Sequence, residues 1–216
     1  MAWQTEGMPQ VLADNEEVVF QEGIPEHPRQ IYELLMGAFA EQRRSVVKFI
    51  VDGEDCMQGA NFPESFELIE AHSLSHDEIT MRLAIQFFNQ MSNLDKEIQA
   101  YQGNVLRTPW SEVFKQMDKF IEKIQPFADL IDHTLPYAQS YSPPWRSEME
   151  EIAKRQADAL ESVLQSFEKA DSARLSDVLN NLLLPLFRET NSLFSNQIIP
   201  FLGERVDSEK KGSSDA

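Results

Sequence analysis

The apolar positions of this chain change period once, near residue 75. Before that point the pattern is mixed. Residues 16–20 (EEVVF) form a short β-branched run that predicts a strand. In 27–44, Ile31, Leu34, Leu35, Ala38 and Phe39 share one helical face. Pro28 suits the first turn of that helix, and Arg43 and Arg44 suit its carboxyl end. Residues 45–56 read as a strand in which Val47, Phe49 and Val51 alternate with Val46, Lys48 and Ile50, and Asp52-Gly53 marks a turn. Residues 65–73 alternate again, with Phe66 and Leu68 on one side and Ile69 and Ala71 near the other. Strand, helix, strand, strand predicts a small β-α-β-β unit over 16–73.

From residue 75 the period is helical, four times: 76–102, 109–135, 144–169 and 174–203. Each stripe spans roughly 25 to 30 residues, about 40 Å at 1.5 Å per residue. Short connections force neighbouring helices to run antiparallel, so an antiparallel four-helix bundle is expected over 75–204. The fold class expected is α+β, mainly helical. Thr108-Pro109 and Ser142-Pro143 each predict a capping hydroxyl ahead of a helix, with Trp110 and Trp145 as anchors soon after. Pro126 and Pro185 fall inside the second and fourth bundle helices and should bend or divide them. Residues 1–15 are expected to be flexible and 205–216 to form a disordered polar tail.

Charge narrows the range of partners. Thirty-six acidic against nineteen basic residues leave a net charge of -17. That field repels phosphate backbones and anionic lipid, so a protein partner or self-association is expected, with no nucleic acid and no membrane. The apolar run LLLPLF is too short to span a bilayer. No apolar segment follows a basic start, so no signal peptide is expected. Cys56 is the single cysteine, which fits a reducing, cytoplasmic setting.

The stretch AHSLSHDE (71–78) invites a metal reading through His72 and His76. A junction accounts for it better. Ser75 and Glu78 form a capping box, Asp77 and Glu78 occupy the acid-favouring first turn, and a strand ending near His72 leaves the two histidines on no common helical face. A di-iron site needs Glu-x-x-His, yet Ile24, Ile69, Ser73 and Leu130 precede His27, His72, His76 and His133 by three. There is no Gly-rich phosphate loop, no Gly-x-Ser-x-Gly and no His-Glu-x-x-His. The acids beside Cys56 should raise its thiol pKa and blunt it as a nucleophile. His133 suits a helix carboxyl end. Catalytic residues, metal ligands and cofactors are therefore expected to be none.

The most apolar stretch, NNLLLPLF (180–187), covers more than one helical face. Leu183, Leu184 and Phe187 are the partner-binding residues it suggests, by packing on the amino-terminal unit, on a second copy, or on a client. The function expected is a non-enzymatic protein-interaction module, an adaptor or a chaperone-like acidic bundle. In composition it resembles secretion and assembly chaperones. The alternative is a small-ligand site or enzyme with its cleft near Pro126 and Pro185.

Overall fold

Asp14 and Asn15 both have positive φ (51° and 71°), as do Asp52 and Gly53 (49° and 90°). A two-residue hairpin turn whose twist matches its strands demands this at both central positions. In the computed structural model of the protein, which describes residues 9–57 and 62–214, these turns join β1 (Gln10–Ala13) to β2 (Glu16–Glu17) and β3 (Arg44–Val51) to β4 (Glu54–Asp55). The chain divides into two compact units, Met1–Ile79 and Thr80–Ala216.

The first unit is a mixed sheet in the order β2-β1-β5-β3-β4, with β5 (Leu68–Ser75) at its centre. β1 runs parallel to β5, and β3 antiparallel to it. On α1 (Pro28–Glu41), Ile31, Leu35 and Phe39 are buried together with Val11, Val46, Phe49, Val51, Ile69 and Ala71. The two turn aspartates fasten the central strand at both ends. Asp52 Oδ1 accepts from the backbone N–H groups of Glu67 (2.9 Å) and Leu68 (2.8 Å). Asp14 accepts from the Ser73 N–H (2.7 Å), the Ser73 hydroxyl (2.6 Å) and Arg44 Nη2 (3.1 Å).

Five expectations change here. Five strands replace about three: of the strand expected at 16–20 only Glu16–Glu17 pair, as β2, and the unexpected β1 and β4 are too short to show a period. Val46, not Val47, joins Phe49 and Val51 inside. The register slips between Val46 and Lys48, and such a bulge moves the side chains beyond it to the other face. Arg43 and Arg44 lie beyond the helix: Arg43 turns to φ 57° and Arg44 opens β3. The strand expected at 65–73 lies at Leu68–Ser75. Residues 1–8, part of the expected flexible amino terminus, lie outside the described residues, whereas Gln10–Ala13 form β1.

α2 (His76–Gln90) begins in the first unit and ends in the second. It is followed by α3 (Leu94–Val105), α4 (Trp110–Lys115), α5 (Met117–Tyr141) and α6 (Arg146–Glu168). The expected helices 76–102 and 109–135 are thus each two, broken at 91–93 and at Gln116. Their apolar stripes run on across the breaks, which is why periodicity does not reveal them. Neither predicted cap forms. The Thr108 hydroxyl donates backward to the Asn104 carbonyl (2.9 Å), and Ser142 closes α5 at φ 47°. Trp145 is nevertheless the buried anchor expected, beside Tyr137 and Phe201.

The last part of the chain is α7 (Ser172–Val178), a π-helical turn Leu179–Leu183, α8 (Leu184–Leu193), a second π-helical turn Phe194–Ile198, and α9 (Ile199–Ser214). Both π turns come just before a residue-proline pair, Leu184-Pro185 and Ile199-Pro200. A proline has no N–H for the carbonyl four residues back, and its ring presses on that carbonyl. The wider turn meets this: Leu184 N–H bonds Leu179 O and Ile199 N–H bonds Phe194 O, each five residues back. VLNNLLLPLF and LFSNQIIPFL are thus one motif used twice, fifteen residues apart. Pro185 divides its helix as expected, while α5 runs unbroken across Pro126 and Pro136. α9 continues to Ser214 where a loose tail was expected, and Val206, one turn beyond Leu202, is the buried anchor that extends it.

Candidate functional site

The strand-to-helix junction absorbs the residues that first suggested metal chemistry. Ser75 ends β5 and its hydroxyl accepts the Glu78 N–H at 3.2 Å, the forward half of the capping box. His76 lies on α2, its Nε2 2.9 Å from the Ser45 hydroxyl, while His72 stands in β5 opposite Lys48. Neighbouring strand positions face opposite ways, so His72 points away from the buried side chains of Ala71 and Ser73. Among the described residues no group of three His, Cys, Asp or Glu is placed to hold a metal ion.

Cys56 is half-buried, and burial first, then the Glu54 and Asp55 carboxylates, push its thiol pKa up. His133 lies inside α5, two turns before its end, with Nδ1 2.7 Å from the Asp129 carbonyl and its ring 5.2 Å from that of Phe87. Leu183, Leu184 and Phe187 lie in the core of the second unit at 0%, 7% and 4% exposure. The π turn rotates the apolar run so that Leu183 and Leu184 both point inward, and Leu182 is left 48% exposed.

Several buried polar groups of the second unit are held by backbone. The hydroxyls of Thr134, Ser166 and Thr190 donate to carbonyls four residues back in their own helices, at 2.7, 2.7 and 2.9 Å. Gln156 Nε2 on α6 donates to the Phe127 carbonyl of α5 at 3.1 Å. The Trp145 indole nitrogen is buried without a partner among the described residues.

Two surface features remain. On α4, Trp110 and Phe114 stand one turn apart; on α6, so do Leu164 and Phe167. A ring contact of 5.7 Å between Trp110 and Phe167 brings these turns side by side. Phe114 is 51% exposed and Leu164 52%. Phe114 falls in the apolar period of the helix expected over 109–135, which the break at Gln116 leaves intact.

The second feature is a cleft of about 600 Å³ between α3 and the first turns of α5. Lys96, Lys119 and Lys123 line it, over a floor of Ala100, Tyr101 and Phe120. It is lined by neither Pro126 nor Pro185. In the sequence, the acid-to-base spacings of DKFIEK (118–123) read as an ordinary solvated helix face. Only the fold brings Lys96 of α3 to it.

Comparison with protein-family models, with curated proteins and with solved structures finds no match. Among the described residues, no helix is long and apolar enough to cross a membrane.

Proposed function

We propose that this chain is a non-enzymatic protein-interaction module, an adaptor or chaperone-like acidic protein of the cytoplasm whose partner is another protein or a second copy of itself. We read its second unit as a four-helix bundle of α3, α5, α6 and the α7–α9 rod. The packing pairs support this, since α3 meets α5, α5 meets α6, α6 meets α7 and α8, and these meet α3 again, as a closed ring. We read the first unit as the expected β-α-β-β order in β2, α1, β3 and β5, with β1 and β4 added by the two hairpin turns.

One observation carries the docking reading. Phe114 and Leu164, large apolar side chains about half exposed, lie on turns that the Trp110–Phe167 contact brings side by side. Exposed apolar clusters with an aromatic centre mark interfaces more often than isolated apolar residues do. The interior supports it from the other side, because Thr134, Gln156, Ser166 and Thr190 are each tied to a backbone carbonyl and not gathered at a cleft.

Light scattering after size exclusion over a hundredfold range of concentration, on wild type and on Phe114→Asp/Leu164→Asp, tests this. A dimer that the double variant abolishes supports self-association. A monomer whose defined partner binds wild type and not the variant supports docking to another protein. A monomer with no partner that distinguishes the two forms refutes the assignment.

A further inference from the structure

We propose that the cleft between α3 and the first turns of α5 binds a small organic anion that carries an apolar body. Charge points first. The chain has nine lysines against thirty-six acids, yet three of the nine line this one cleft, with Glu97 as its only carboxylate. Lys123 is engaged by Glu97 at 3.0 Å. Lys96 and Lys119 have no carboxylate partner among the described residues. The acids beside them are occupied or turned elsewhere: Asp95 is bound by Arg188, and neither Asp118 nor Glu122 lines the cleft. Three lysines from two helices, two of them without a carboxylate partner among the described residues, therefore line a common space.

The floor gives the other half of the ligand. Tyr101 and Phe120 stack at 4.2 Å, nearly parallel at 11°, with Ala100 beside them. The Tyr101 hydroxyl is turned away, donating to the Val113 carbonyl at 3.1 Å. Burial raises its pKa to about 12, so the phenol stays neutral and the floor carries no charge. Asn104 and Gln116 add amide groups to the lining. A volume near 600 Å³ lies in the range of small-molecule sites.

Size separates a small anion from a polyanion. A nucleic acid or an anionic bilayer would meet the whole field of a chain at -17. A small anion senses mainly the charges within about 8 Å at physiological salt, which include the three lysines and one glutamate that line the cleft. Lysine suits this ligand as a mobile point charge for phosphate or carboxylate. The site shares no residue with the surface around Phe114 and Leu164.

Calorimetric titration with 1-naphthyl phosphate tests it, with 1-naphthol as the probe lacking charge and inorganic phosphate as the probe lacking the apolar body. The expected result is saturable binding at one per chain, weakened about five- to tenfold in Lys96→Gln/Lys119→Gln. Lys119→Arg keeps the charge and should bind as wild type does; 1-naphthol and inorganic phosphate should each bind more weakly. Absence of saturable binding to wild type at millimolar probe overturns the proposal. So does equal affinity in the glutamine variant, or equal affinity for 1-naphthol. Loss of binding in Phe114→Asp/Leu164→Asp, with the lysines intact, places the probe elsewhere and overturns it too.

Discussion

Three neighbouring leucines offer a sharp test of how the π turn orients the last helical rod. Leu182, Leu183 and Leu184 are alike in chemistry and adjacent in sequence, yet their exposures are 48%, 0% and 7%. Truncating a fully buried leucine removes its transfer free energy and leaves a cavity, together about 2–5 kcal/mol. Leu183→Ala should fall in that range, and Leu184→Ala near its lower half. Leu182 has half its surface in water already, so Leu182→Ala should cost less than about 1 kcal/mol. A typical domain holds about 5–15 kcal/mol in all, so Leu183→Ala should move the urea midpoint visibly. Tryptophan fluorescence in a Trp3→Phe background reports on the second unit, where Trp110 and Trp145 lie. The reasoning fails if Leu182→Ala destabilises as much as Leu183→Ala, because a continuous α-helix through 179–187 would then orient these side chains differently. It also fails if Leu183→Ala leaves the midpoint unchanged, the outcome expected of an exposed partner-binding residue.

Other outcomes follow from the same contacts. Asp14→Ala strips the Ser73 N–H, the Ser73 hydroxyl and Arg44 of an acceptor and places alanine at positive φ; unfolding of the first unit should become easier by about 2–4 kcal/mol, with Asp14→Asn milder because asparagine tolerates that backbone. Hydrogen exchange at the Ser73 amide would show it, and unchanged protection in Asp14→Ala would count against the fastening role. The Arg188 guanidinium holds the Asp95 carboxyl below its usual pKa. A group whose pKa is lower folded than unfolded adds stability above its unfolded value, near 4, and loses it as pH falls through the folded value. Wild type should therefore exceed Arg188→Gln in thermal stability above about pH 5, and the gap should close on acidification through that window; a gap unchanged down to pH 2 would contradict the pairing. Cys56 should alkylate with iodoacetamide at pH 8 more slowly than N-acetylcysteine, and Glu54→Gln/Asp55→Asn should quicken it; a rate equal to that of the free thiol would refute the raised pKa.

The chain alone determines its two regimes, because period-2 and period-3.6 apolar patterns are local properties that neighbours cannot hide. It also determines the Asp52-Gly53 turn and the Ser75 cap, which depend on residues within four positions of one another. What tertiary structure decided is everything that hangs on phase. A single bulge at β3 exchanged Val47 for Val46 in the core, and a π turn set Leu184, expected at a partner surface, in the interior. A break at Gln116 left Phe114 outside. In each case one local shift, invisible in the apolar spacing, rotates the side chains beyond it. The cleft belongs to the same class of fact. Lys96 stands 23 positions before Lys119, and only the packing of α3 against α5 gives two like charges, which repel in an open chain, a common space to face.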